Sequence, residues 1–155
     1  MKRAWKLAIT IGLGGLLAVA AQLSSAEGAD KDIKQLMGNN FGHVQTILVN
    51  LIRSDYRTLP HDVGVVAQHA EQLAIAVPAS VGTKQELFLS MAYNLRSHAN
   101  NLKLIVEKLG EHDRGAKPGG NLSIDYLRNS AAAHFGEMVT ACVACHNQFR
   151  RKMLK

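Results

Sequence analysis

From Ile33 onwards the apolar residues recur every three or four positions. Ile33, Leu36, Met37, Phe41, Val44, Ile47, Leu48, Leu51 and Ile52 form a first stripe, with the spacing of one face of an α-helix. A second stripe runs from about Pro60 to Val77 through Val63, Val66, Ala67, Ala70, Leu73 and Ala74. Pro60 suits a helix start and Pro78 ends the segment. Thr83 and Glu86 make a capping-box pattern ahead of a third stripe of Leu87, Met91, Leu95, His98, Leu102, Ile105 and Leu109. Gly110 falls at its expected C′ position. Gly115, Pro118, Gly119 and Gly120 mark residues 111–122 as a surface loop. Ser123 then caps a fourth helix that carries Leu127, Ala131, Phe135, Met138, Cys142, Cys145, His146 and Phe149 on one face. No run alternates apolar and polar residues between turn signals, so no strand is expected. Four amphipathic helices with short connections predict an all-α fold, an antiparallel four-helix bundle.

The segment ahead of the first stripe has another pattern. Met1-Lys2-Arg3-Ala4-Trp5-Lys6 is a short basic stretch, Leu7 to Ala21 is apolar, and Ser24-Ser25-Ala26 offers small residues for cleavage. This is the organisation of a secretory signal peptide, short for a membrane span. An uncleaved anchor is the alternative, and Gly12, Gly14 and Gly15 would make it a poor permanent helix. Residues 1–26 are therefore expected to be removed, leaving 27–155 as one domain with one core. Export from a bacterial cytoplasm would deliver it to the periplasm. No later stretch is apolar enough to cross a bilayer.

Removal of the leader also changes the charge. The full chain has 18 Lys+Arg against 12 Asp+Glu. Lys2, Arg3 and Lys6 leave with the signal, so 18 less 3 gives 15 basic residues against the same 12 acidic ones. No basic stripe interleaved with aromatics suggests nucleic-acid binding. Four of those basic residues, Arg150, Arg151, Lys152 and Lys155, crowd the C-terminus. That cluster is either a surface for an acidic partner or a solvated helix end, where basic residues are favoured anyway.

The chemistry lies in Cys142-Val143-Ala144-Cys145-His146, a C-x-x-C-H run that holds both cysteines of the chain. This is the attachment signature of a c-type haem. Two thiols form thioethers with the vinyl groups of one porphyrin edge, and the imidazole beside them ligates iron from one face. On a helix, positions 142, 145 and 146 are related as i, i+3 and i+4 and share one stripe. Three other readings compete. A thioredoxin-like redox pair wants a βαβ context. Half of a zinc site wants a second ligand pair. A simple disulfide would suit an exported protein.

With that motif on the last of four helices, the chain resembles the cytochrome c-prime family across essentially the whole mature segment. The run Cys142 to Arg150, C-V-A-C-H-N-Q-F-R, resembles the family's attachment motif followed by Phe-Arg. Gln35-Leu36-Met37-Gly38-Asn39-Asn40 resembles the first helix of low-spin members, in which methionine is the second axial ligand. The resemblance implies one covalent haem c held by Cys142 and Cys145, with His146 and Met37 as iron ligands. It also makes a homodimer plausible. Position along the bundle agrees. Met37 stands six residues after Lys31, about 9 Å along its helix, and His146 stands six residues before Lys152, at about the same depth. The competing role for Met37 is plain core filling, which methionine does well.

His69, near the same end of the bundle, is the rival ligand. His43 lies deeper and His98 near mid-helix, both expected at the core margin or the surface. His61, His112 and His134 have no positional claim on the iron. Phe41, Phe88, Met91 and Phe149 are expected to wall the haem pocket. Two functions follow from the resemblance. The first is a one-electron carrier with both axial ligands in place, methionine raising the potential relative to bis-histidine ligation, and redox proteins as partners. The second is a five-coordinate, high-spin protein that binds NO or CO. No motif supplies the polar acid–base group that a haem enzyme such as a peroxidase needs, so no catalysis is expected. Intact-mass measurement of the exported protein is expected to give a chain starting near Glu27 plus one haem that survives acid–acetone extraction. A bare-chain mass, or a haem that extracts, overturns the attachment reading.

Overall fold

A computed structural model describes residues 33–115 and 122–153. The signal segment, the expected new N-terminus at Glu27 and residues 116–121 lie outside the described residues, as do the side chains of Arg150, Arg151 and Lys152 and the whole of Lys155. Four long helices make up most of the described residues: α1 over residues 33–53, α2 over Leu59–Ile75, α3 over Gln85–Asp113 and α4 over Ile124–Met153. A 3-10 turn, Ala79–Lys84, leads into α3. Among the described residues there is no strand, and no helix is long and apolar enough to cross a membrane.

Two cores hold the helices together. One joins Ile47 of α1, Leu59, Val63 and Val66 of α2, Leu102, Val106 and Leu109 of α3, and Leu127 and Met138 of α4. The other joins Ile33, Leu73, Val81, Phe88, Ala92 and Phe149. The second cluster thus gathers the start of α1, the end of α2, the start of α3 and the end of α4, so consecutive helices alternate in direction. Ala67, Ala70, Ala99 and Ala131 are buried between them; their small side chains let the helix backbones come close. Phe88 and Phe149 close the second cluster edge-to-face, with ring centres 5.5 Å apart, a favoured geometry for aromatic pairs.

The helix ends depart from the sequence expectation in three places. Thr83 and Glu86 form no capping box: Lys84 is the N-cap of α3 and no side chain caps it. Thr83 already lies within the 3-10 turn, whose backbone runs on into the helix. Gly110 is not a C′ residue but a buried position inside α3, where a Cβ would stand 3.4 Å from the Tyr56 carbonyl oxygen. The left-handed glycine after α3 is Gly115, at φ 84°. The stripe of α3 is also rotated, burying Phe88 while Leu87 remains exposed. Two other ends follow the pattern. Ser123 Oγ accepts the Tyr126 N–H at 3.1 Å, an N-cap bond, and Pro60 sits in the first turn of α2.

The end of α1 carries no glycine signal. Ser54 takes φ 55°; its N–H reaches the Leu51 carbonyl and the Asp55 N–H reaches that of Asn50. These are the paired bonds of a Schellman motif, which usually employs glycine. Truncation of Phe88 to Ala is expected to cost about 3–5 kcal/mol, because the ring is fully buried and its cluster cannot collapse freely. Ser123→Ala is expected to cost about 1 kcal/mol. Urea denaturation of both variants checks the ranking.

Candidate functional site

Between α1 and α4, at the end of the bundle closed by Phe88 and Phe149, lies a cleft of about 370 Å³. Such a volume falls within the usual range for small-molecule and cofactor sites, about 300–1,000 Å³. From α4 it is lined by Val139, Cys142, Val143, Cys145, His146 and Asn147, and from α1 by Met37, Asn40, Phe41 and Val44. The buried side chains of Leu73 on α2 and Leu95 on α3 complete it. Cys142, Cys145, His146 and Met37 thus meet at one cleft, although Met37 is 105 positions before Cys142 in the sequence (142 less 37).

Helix periodicity accounts for the α4 wall. The stripe that buries Leu127, Ala131 and Met138 continues through Cys142 and Cys145 to Phe149. Both cysteines are free thiols and half-buried. Burial raises the Cys142 thiol above its ordinary pKa of 9.0. Burial, and then the neighbouring Cys142, push Cys145 up to about 11. Both are therefore neutral thiols at physiological pH. His146 stands at the edge of the stripe, exposed and still lining the cleft. Met37 is half-buried and packs against the second core.

Opposite the cysteines, α1 contributes one buried polar residue. Asn40, 8 % exposed, accepts a hydrogen bond at 2.6 Å from His69 Nδ1. Burial, then His43, lowers the pKa of His69 below 6.5, so its ring is neutral at pH 7. His43 lies 6.1 Å from it, ring centre to ring centre, and donates to Asp62 at 2.9 Å. A polar layer between α1 and α2 therefore ends at the cleft wall in Asn40. His69 stands behind Asn40 and does not line the cleft. Of the four residues expected to wall the pocket, only Phe41 does so; Phe88, Met91 and Phe149 pack in the second core instead. The rotation of the α3 stripe turned Phe88 inward. Asn40 escaped the sequence reading, though it had a signal: a polar residue on the line Ile33, Met37, Val44 and Ile47.

Two of the other chemistries open to the cysteines lose support here. The described residues contain no strand for a thioredoxin-like βαβ unit. Nor do three or more His, Cys, Asp or Glu side chains converge among them to make the closed four-ligand set of a structural zinc. Compared with known proteins, the chain matches no family model, no curated protein and no solved structure.

The raised thiols give a pH-dependent test. Burial favours the neutral form, so the Cys145 shift stabilises the fold fully below about pH 9 and that contribution is lost as pH rises through about 11. In folded protein with both thiols free, the pH midpoint of Cys145 alkylation is expected near 11. In urea it is expected near the ordinary thiol value. Iodoacetamide labelling followed by mass spectrometry measures both; equal midpoints in the two conditions overturn the assignment.

Proposed function

We propose that this protein is an exported monohaem c-type cytochrome of the cytochrome c-prime type, serving in the periplasm as a one-electron carrier. The observation that carries the reading is the meeting of Met37 with Cys142, Cys145 and His146 at one apolar cleft. The donor set suits a haem. A porphyrin supplies four nitrogens of its own, so two protein ligands suffice, and the lack of a larger His/Cys/Asp/Glu group among the described residues does not count against it. Bound haem supplies one reversible electron at its iron.

The residues of the chain have distinct parts in this reading. Cys142 and Cys145, one helical turn apart, tether the group to α4 through thioethers. His146 ligates iron from the same helix, and Met37 ligates it from α1. Because His146 and Met37 stand on different helices of one packed bundle, they would hold the group without large rearrangement of the chain. The apolar walls of Val44, Leu73, Leu95 and Val139 exclude water and favour the less charged, reduced state. Redox proteins are the partners this activity requires; no catalytic acid–base role is assigned to any residue.

Asn40 favours a second reading, a five-coordinate protein that binds NO or CO. Its buried amide lies at the cleft wall on the Met37 side, where it could hydrogen-bond a diatomic ligand if Met37 is only core. Met37→Ala separates the two. As an electron carrier, the wild type shows low-spin iron, a methionine-to-iron charge-transfer band when oxidised, and resistance to CO. The variant is expected to lose the band, turn high-spin, fall in potential and bind CO readily. Some loss of stability, about 2–5 kcal/mol, accompanies removal of any such side chain, so the band and not the melting temperature decides. A wild type that lacks the band and binds CO freely overturns the carrier reading.

A further inference from the structure

Halfway along the bundle, next to the cleft-lining Leu95 and Val139 but outside the cleft itself, α3 and α4 each offer a histidine to the other. His98 Nδ1 and His134 Nδ1 stand 3.4 Å apart, with ring centres 5.7 Å apart and the planes inclined by 43°. Both side chains are half-buried, so solvent reaches them. Neither ring has another hydrogen-bond partner among the described residues. The pair forms a hydrogen bond, long beside the about 2.7–3.2 Å usual for N–H donors. The same separation also suits shared ligation of one ion. Two nitrogens about 2.0–2.1 Å from one ion, at a tetrahedral angle, lie about 3.4 Å from each other.

We propose that His98 and His134 form a site for a borderline divalent transition ion, the class of Zn²⁺, Ni²⁺ and Cu²⁺, bridging α3 and α4. Neutral imidazole is the commonest protein ligand for these ions. The two side chains fill two positions and water fills the rest, which leaves the ion open and exchangeable. His134 precedes His146 by 12 residues, about 18 Å along α4, and neither His98 nor His134 lines the cleft, so the site does not depend on the haem reading. The bite is set by packing: Leu95, Ala99 and Leu102 around His98, and Ala131 and Met138 around His134, are buried in one core. The helices thus hold the two nitrogens before any ion arrives. Among these ions the order of affinity follows the Irving–Williams series, with Cu²⁺ ahead of Ni²⁺ and Zn²⁺. By joining two helices of the folded state alone, the ion also raises the melting temperature.

Zn²⁺ titration of the full mature protein by calorimetry tests the site. One ion per chain is expected, with His98→Gln and His134→Gln each weakening binding about tenfold or more, since even an outer-shell partner of a metal is worth about 10–100-fold. His112→Gln, at the exposed end of α3, should leave binding unchanged. A check on the wild type guards against variants that fold poorly: Zn²⁺ should protect His98 and His134, and not His112, from diethylpyrocarbonate as mapped by peptide mass. Absence of Zn²⁺ binding, binding that both substitutions leave intact, or equal modification of His98 and His134 with and without Zn²⁺ overturns the proposal.

Discussion

A single helical stripe has to serve two purposes in α4. Along its first half the stripe is buried against α3, with Leu127, Ala131 and Met138 almost fully covered. Four residues beyond Met138 the same line reaches Cys142, and the neighbouring helix no longer closes over it; the cleft opens there instead. The line is covered again three residues past His146, at Phe149. The placement of α1 depends on this alternation, because it packs in the first core at Ile47 and in the second at Ile33, with the cleft lined by Met37, Asn40, Phe41 and Val44 between them. Were the helical period interrupted anywhere from 127 to 149, core and cleft could not both face inward.

Much of this was legible in the chain because a 3.6-residue period leaves a strong trace in the order of apolar residues. Helix number, direction and approximate extent followed from it, as did the cap at Ser123. The register of α3 did not. Leu87 and Phe88 are adjacent and both apolar, and only packing against Phe149 selects the second. Helix ends were misjudged wherever the backbone used an unadvertised device: a 3-10 turn in place of a side-chain cap before α3, and a left-handed serine at the close of α1. Local propensity is a weak guide at such points, since backbone hydrogen bonds can be satisfied in several ways.

At the cleft, spacing alone placed the two cysteines and His146 on one helix face, whereas the approach of Met37 is a tertiary fact that equal depth along the bundle only suggested. The polar layer of Asn40, His69, His43 and Asp62 was the least legible. Each residue by itself is unremarkable for a half-polar helix face; their value lies in partners 19 and 29 positions apart in sequence. Buried amides without a partner are costly, and the neutral ring of His69 supplies what Asn40 requires. The same logic missed the pairing of His98 with His134, which come from different helices and have no motif in common.

Among the described residues no lysine, arginine, aspartate or glutamate lines the cleft, and its mouth carries the exposed side chains of Phe41 and Val143. Water is poorly held over such a surface, so another surface that covers it displaces solvent without stripping ions. Its floor is different, because Asn40, Leu73 and Leu95 are buried there. A charge gained or lost against that floor is screened less by water and mobile ions than one at the exposed rim, and is felt more strongly. Between two of its helices the bundle sets a gradient of permittivity, low at the floor and high at the mouth.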